Sequence, residues 1–122
     1  MDRIQKTETT YVKTLPTVGR SVFSLMNFNI GDHIESNVVL PVNIQNIKNS
    51  ELSDYLMEWT DEHDCIALGN IQLINHSDTP NCIIHDDIAN TIKSIYAIKK
   101  ISAGEQLTTK YKCELWFKPI PI

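Results

Sequence analysis

Apolar segments in this 122-residue chain are short, and each is closed within a few residues by a glycine, a proline or acidic residues. Val22-Phe23-Ser24-Leu25 is the first such run, entered through Thr17-Val18-Gly19-Arg20-Ser21. Ile34 to Leu40 follows the Gly31-Asp32 turn and is expected to stop at Pro41, which cannot donate to a sheet ladder. Val42 to Lys48 alternates with a slip, so a strand or extended arm is expected there. Cys65-Ile66-Ala67-Leu68 is wholly apolar and ends at Gly69. Cys82-Ile83-Ile84-His85 and the stretch from Thr91 to Ile98 frame a hairpin across residues 86–90, and Leu107 to Tyr111 is the last expected strand. One helical signal interrupts the series. Asn49 or Ser50 can cap, and Leu52, Tyr55, Leu56 and Trp59 follow at helical spacing, which predicts a short helix from Ser50 to about Tyr55. Such a pattern gives a mostly β single domain with one brief helix.

Composition narrows the partners. Apolar residues make up 42% and charged ones 21%, ordinary for a globular chain. The net charge is −4 with no basic cluster, which argues against direct nucleic-acid binding. No apolar run is long enough to cross a membrane, so no membrane contact is expected. The carboxylates at Asp61-Glu62-His63-Asp64 and Asp86-Asp87 are solvated turns, or local attractors for a lysine- or arginine-rich peptide. Three cysteines without paired spacing predict no disulfide framework, and no apolar segment follows Met1-Asp2-Arg3-Ile4 to suggest a secretory signal. A cytoplasmic or host-intracellular location is therefore expected. Residues 1–10 are polar and are expected to form a flexible tail, with residues 11–122 as one domain. Cys65, Cys82, His85 and Cys113, with His63 nearby, are zinc-type ligands. Their spacing is poor for a metal, and buried inert cysteines are expected instead.

Two polar motifs set in apolar surroundings hold the candidate chemistry. The first is Leu73-Ile74-Asn75-His76-Ser77-Asp78-Thr79-Pro80-Asn81-Cys82. On its own, Asn75-His76-Ser77 reads as a turn, since Asn, Ser and Asp bond to nearby backbone and Pro80 fixes the exit. Its apolar flanks sink that turn into the interior, where its polar groups need partners or a ligand. The second is Ala103-Gly104-Glu105-Gln106-Leu107-Thr108-Thr109-Lys110-Tyr111. A tyrosine closing a strand is ordinarily a half-buried core residue.

Together these motifs resemble those of SET-domain protein lysine methyltransferases of the small stand-alone viral and bacterial type. Gly19-Arg20-Ser21-Val22-Phe23 is similar to the family's Gly-x-Gly-Val-Phe opening, and Gly31-Asp32-His33-Ile34-Glu35 to the strand that follows it. Leu52, Tyr55 and Trp59 resemble a Leu-x-x-Tyr-x-Phe-x-Trp stretch. The resemblance implies a β-clip-like fold of small curved sheets with a C-terminal pseudoknot, in which the segment carrying Tyr111 passes beneath the loop holding Asn75. It further implies transfer of a methyl group from S-adenosylmethionine to the ε-amine of a lysine in a protein. Tyr111 would be the catalytic residue. Gly19, Arg20, Ser21, Val22, Tyr55, Asn75, His76 and Trp116 would hold the cofactor, and Tyr55, Asn70, Ile71 and Leu115 would line the lysine channel, with no metal. Partners would be a lysine-containing protein or peptide and, through the apolar Pro119-Ile120-Pro121-Ile122 tail, a second copy in a homodimer.

Some positions depart from the family's pattern. Ser21 stands at the second glycine of the opening, Asn70-Ile71-Gln72 replaces an aromatic-Gly-Ser stretch, and Lys112 replaces the glycine after the tyrosine. Leu115 stands where a larger aromatic commonly limits the number of methyl groups, so its smaller bulk implies room for more than one. The departures motivate an alternative: a degenerate SET-like domain that binds a peptide or S-adenosylmethionine without turnover.

Overall fold

The computed structural model describes residues 5–47 and 54–111. It is built from strands. β1 (Thr10–Leu15) and β2 (Gly19–Ser24) form an antiparallel hairpin in register from Thr10↔Ser24 to Leu15↔Gly19. Five strands make the main sheet in the order β4-β5-β3-β8-β7, with β3 spanning His33–Asn43, β4 Met57–Glu58, β5 His63–Ala67, β7 Cys82–Asp87 and β8 Ile92–Ala97. The remaining pair is parallel: β6 (Asn75–His76) lies beside β9 (Thr108–Thr109), with Asn75↔Thr108 and His76↔Thr109 as partners. Ile34, Ile71, Ile95, Ile101 and Leu107 fill the core between these sheets, each at most 2% exposed. The mostly β architecture, curved small sheets with a short helix, agrees with the sequence expectation. Among the described residues no helix is long and apolar enough to cross a membrane.

Several boundaries differ from those read off the sequence. β1 precedes the first expected strand; its Thr, Tyr and Val residues favour a pleated, half-buried surface. Pro41 does not end β3, which runs on to Asn43. The reason is register. β3 meets β8 as far as Val38↔Ile92 and β5 from Val39↔Ala67 to Asn43↔His63. Val39 turns its N–H away from β5, toward the Thr91 carbonyl at 2.9 Å, and Pro41 two residues on faces the same way. The missing N–H therefore points to a side where β8 has already ended and costs no ladder bond. The strand expected over Val42 to Lys48 is replaced beyond Asn43 by a single helical turn, α1 (Ile44–Ile47). Asn43 starts it by accepting the Gln45 N–H on its side-chain oxygen at 2.9 Å, an N-cap bond. The helix expected over 50–55 lies, except for its last two residues, outside the described residues. The last strand is shorter than expected, because Tyr111 leaves the ladder to bond a side chain instead.

Two side chains fasten the segments that frame the site. Asn81, 7% exposed, accepts the Thr108 N–H at 2.9 Å and donates to the Gln106 carbonyl at 2.8 Å and to Glu105 at 3.0 Å. The same stretch lines the free edge of β2, where Leu107 N–H meets the Val22 carbonyl at 2.8 Å. Gly104, at φ +89°, makes the tight turn into it, and its N–H reaches the Ser24 carbonyl. On the other side Asn37 accepts the Ile71 N–H at 3.0 Å and holds the 3-10 turn Asn70–Leu73 that leads into β6.

Candidate active site

β6 and β9 are short, yet their parallel pairing joins residues more than thirty positions apart, as a chain crossing would. Ser77 N–H bonds the Thr109 carbonyl at 2.9 Å and extends the pair by one step. Tyr111 then turns inward. Its backbone N–H donates to His76 Nδ1 at 2.8 Å and its hydroxyl donates to the Ile74 carbonyl at 3.0 Å. The two rings meet edge to face with centroids 4.9 Å apart. An imidazole nitrogen that accepts an N–H carries no proton, so the neutral ring's hydrogen sits on Nε2. That nitrogen lies 3.1 Å from Asp78, which takes the hydrogen and fixes the tautomer.

Asn75 faces the β2 opening across from Tyr111's segment. Its Nδ2 donates to Ser21 Oγ at 2.8 Å and lies 3.5 Å from the Arg20 carbonyl. Ser21 is fully buried, and its own hydroxyl hydrogen goes to the Gly19 carbonyl at 3.2 Å. A cleft of about 960 Å³ opens beside this group. Arg20, Tyr55, Leu73, Ile74, Asn75 and Tyr111 line it, and Asp54, Glu58, Asp86, Lys93 and Lys110 bring charge to its walls.

Tyr55 sits 66% exposed on the cleft, its carbonyl held by the Gln72 amide. Gly19, Ser21, Val22 and His76 do not line the cleft, although Arg20, Asn75 and Tyr111 beside them do. Asn70 and Ile71 are not on the cleft. Both are buried, and the Asn70 amide is engaged by Gln5 and Thr10, at 2.7 Å to the Gln5 carbonyl and 2.9 Å to Thr10 Oγ1. Leu115 and Trp116 lie outside the described residues. Sequence reasoning missed Asp78 and Asn81, although both stand within the Asn75 motif. It also missed Lys93, whose Nζ lies 2.8 Å from Asp86 inside the cleft wall. A lysine on the buried face of a strand with an acidic partner seven residues earlier was a signal available to it.

Neither Cys82, which lines the cleft, nor Cys65 is a nucleophile. Burial pushes the Cys65 thiol up to about 11 and the Cys82 thiol up to about 12, so both stay protonated near neutrality. Among the described residues no three His, Cys, Asp or Glu side chains gather as a metal site.

The chain is similar to known proteins in sequence and in fold. A histone-lysine N-methyltransferase of Schizosaccharomyces pombe, H3 lysine-37 specific, is 29% identical over 104 residues, covering 82% of this chain and 71% of that protein. The crystal structure of a Plasmodium falciparum protein, provisionally described as a histone methyltransferase, matches with a TM-score of 0.73 and 27% identity. That match covers 92% of this chain and all of the other. Fold and kinship define the class, an enzyme of lysine methyl transfer. The SET domain model matches residues 19–112, and the chain belongs to the SET domain family.

Proposed function

We propose that this chain transfers a methyl group from S-adenosylmethionine to a lysine ε-amine of a protein substrate, with Tyr111 as the catalytic residue. The observation that carries the reading is the convergence of Tyr111 with Ile74 and Asn75 at one cleft, with His76 holding the Tyr111 backbone. The residues present fit such a cofactor. The cleft's volume lies within the range of small-molecule sites. Its walls combine the apolar Leu73 and Ile74, an exposed tyrosine, the carboxylates of Asp54 and Glu58 and the cations of Arg20 and Lys110, suited to a ligand that carries both charges and an aromatic part, while Asp86 and Lys93 are paired with each other. When bound, S-adenosylmethionine supplies an electrophilic methyl carbon on a sulfonium.

Everything else is asked of the protein. A lysine amine must be neutral to react, which costs about 4.6 kcal/mol at pH 7 from its ordinary pKa near 10.4. An apolar wall and a neighbouring cation both favour the neutral form. The Tyr111 hydroxyl gives its hydrogen to the Ile74 carbonyl, so toward an incoming amine its oxygen acts as an acceptor of N–H and orients the nitrogen. His76 and Asp78 hold the Tyr111 backbone for that task. The lysine-37 and histone names of the relatives support a basic protein as substrate.

Tyr111→Phe tests the reading. Methyl transfer to a histone mixture should fall by about 10²-fold or more, the scale for loss of one positioned group, with cofactor affinity nearly unchanged. Asn75→Ala should weaken S-adenosylmethionine binding by calorimetry. Wild-type protein that binds the cofactor and methylates none of the histones would favour the non-turnover alternative.

A further inference from the structure

Ser21 is fully buried at the mouth of β2 and touches the side chain that faces the cleft. Its hydroxyl hydrogen points to the Gly19 carbonyl at 3.2 Å, and in that arrangement its oxygen accepts from Asn75. Asn75 Nδ2 meets this acceptor at 2.8 Å and the Arg20 carbonyl at 3.5 Å. A flipped amide would set Oδ1 against the Arg20 carbonyl and would draw the Ser21 hydrogen away from the Gly19 carbonyl. This network therefore favours one orientation of the amide, with nitrogen toward β2 and Oδ1 turned away. Asn75 lines the cleft, and among the described residues no partner is seen for Oδ1.

We infer that Ser21 is a positioning residue that locks Asn75 as a hydrogen-bond acceptor, so that the cleft selects ligands bearing an ammonium group. The inference rests on the proposal that Asn75 faces the cofactor. A glycine at this position would leave Asn75 only the 3.5 Å contact with Arg20, and its amide could turn either way. The serine fixes the choice before any ligand arrives, and affinity gains most when less ordering is needed on binding. Of the groups on an S-adenosyl amino acid, the α-ammonium is the charged donor that such an oxygen suits best.

Two probes separate this role from a structural one. S-adenosylhomocysteine carries the ammonium, whereas 5′-methylthioadenosine lacks the whole amino-acid portion. In calorimetric titration, Ser21→Ala should bind S-adenosylhomocysteine roughly tenfold more weakly, the scale of one hydrogen bond to a charged group. Its affinity for 5′-methylthioadenosine should stay within about twofold. Ser21→Thr, which keeps the oxygen, should restore the difference between the probes. If the alanine variant does not fold, Ser21→Cys, with a poor acceptor in place of a good one, should show the same selective loss. Equal weakening toward both probes, or unchanged or tighter binding of S-adenosylhomocysteine while wild type binds it, overturns the inference alone. Wild-type protein that binds neither probe overturns the cofactor reading and this inference with it.

Discussion

Cys65 and Cys82 show how burial alone sets reactivity. Each thiol is at most 1% exposed, and desolvation is the largest cause of its raised pKa, above any neighbouring charge. A group that holds its proton more tightly when folded adds stability below its unfolded pKa, near 8.5, and loses that contribution as pH climbs toward the folded value. Thermal unfolding followed by circular dichroism should therefore show stability declining from about pH 9 to 11, and less steeply in a Cys65→Ala/Cys82→Ala variant. Thiol labelling mapped by mass spectrometry should find both residues slow in native protein and fast in denaturant. These two were legible as buried, inert thiols from composition and spacing. The partners of Asn75, Asn70 and Tyr111 were not, because a hydrogen bond across 37 or 65 positions leaves no local pattern. Family resemblance brought Asn75 and Tyr111 together in advance. It also suggested Asn70 for the lysine channel, whereas the structure turns that amide toward Gln5 and Thr10.

At the level of elements, the sheet strands were readable because short β-branched runs ended by glycine or paired carboxylates have few other solutions. The 3-10 turn before β6 was not readable, since what fixes it is a contact with β3. Gly69 lies directly under the Asn37 side chain, and a Cβ built there would come within 2.3–2.6 Å of it. Asn37 cannot easily retreat. Its oxygen receives the Ile71 N–H and its amide serves Glu35 and the Ser36 carbonyl. Gly69→Ala should therefore cost about 1–3 kcal/mol in urea denaturation, the usual penalty of forced overpacking. Because the turn delivers Ile74 and Asn75 to the cleft, the same variant should also weaken cofactor binding. An alanine variant with wild-type stability would mean that the turn shifts freely, and the site with it.

Across the whole molecule the five-stranded sheet curls until its first and last strands approach one side chain. Lys93 of β8 is 2% exposed and bonds Asp86 of β7 at 2.8 Å and the Glu58 carbonyl of β4 at 3.3 Å. Trp59 places its ring 5.5 Å from the same ammonium. β4 and β7 are the two edges of the sheet, so this single cation ties its ends together along the cleft wall. Removing one member of a buried pair leaves the other uncompensated, which is worse than never having had the pair. Lys93→Met should lower the unfolding free energy by about 3 kcal/mol, with Asp86 left in a largely apolar wall. The double variant Lys93→Met/Asp86→Leu should recover much of that loss, since a well-packed apolar pair of similar volume often matches a buried ion pair. It should not recover the curvature, because neither new side chain can bond the Glu58 carbonyl. Urea denaturation of the single and double variants measures the first effect, and crystal structures comparing the β4–β7 separation measure the second. Equal stability losses in both variants would show that the sheet's ends are held by packing alone, and that the cation is a passenger of the curl.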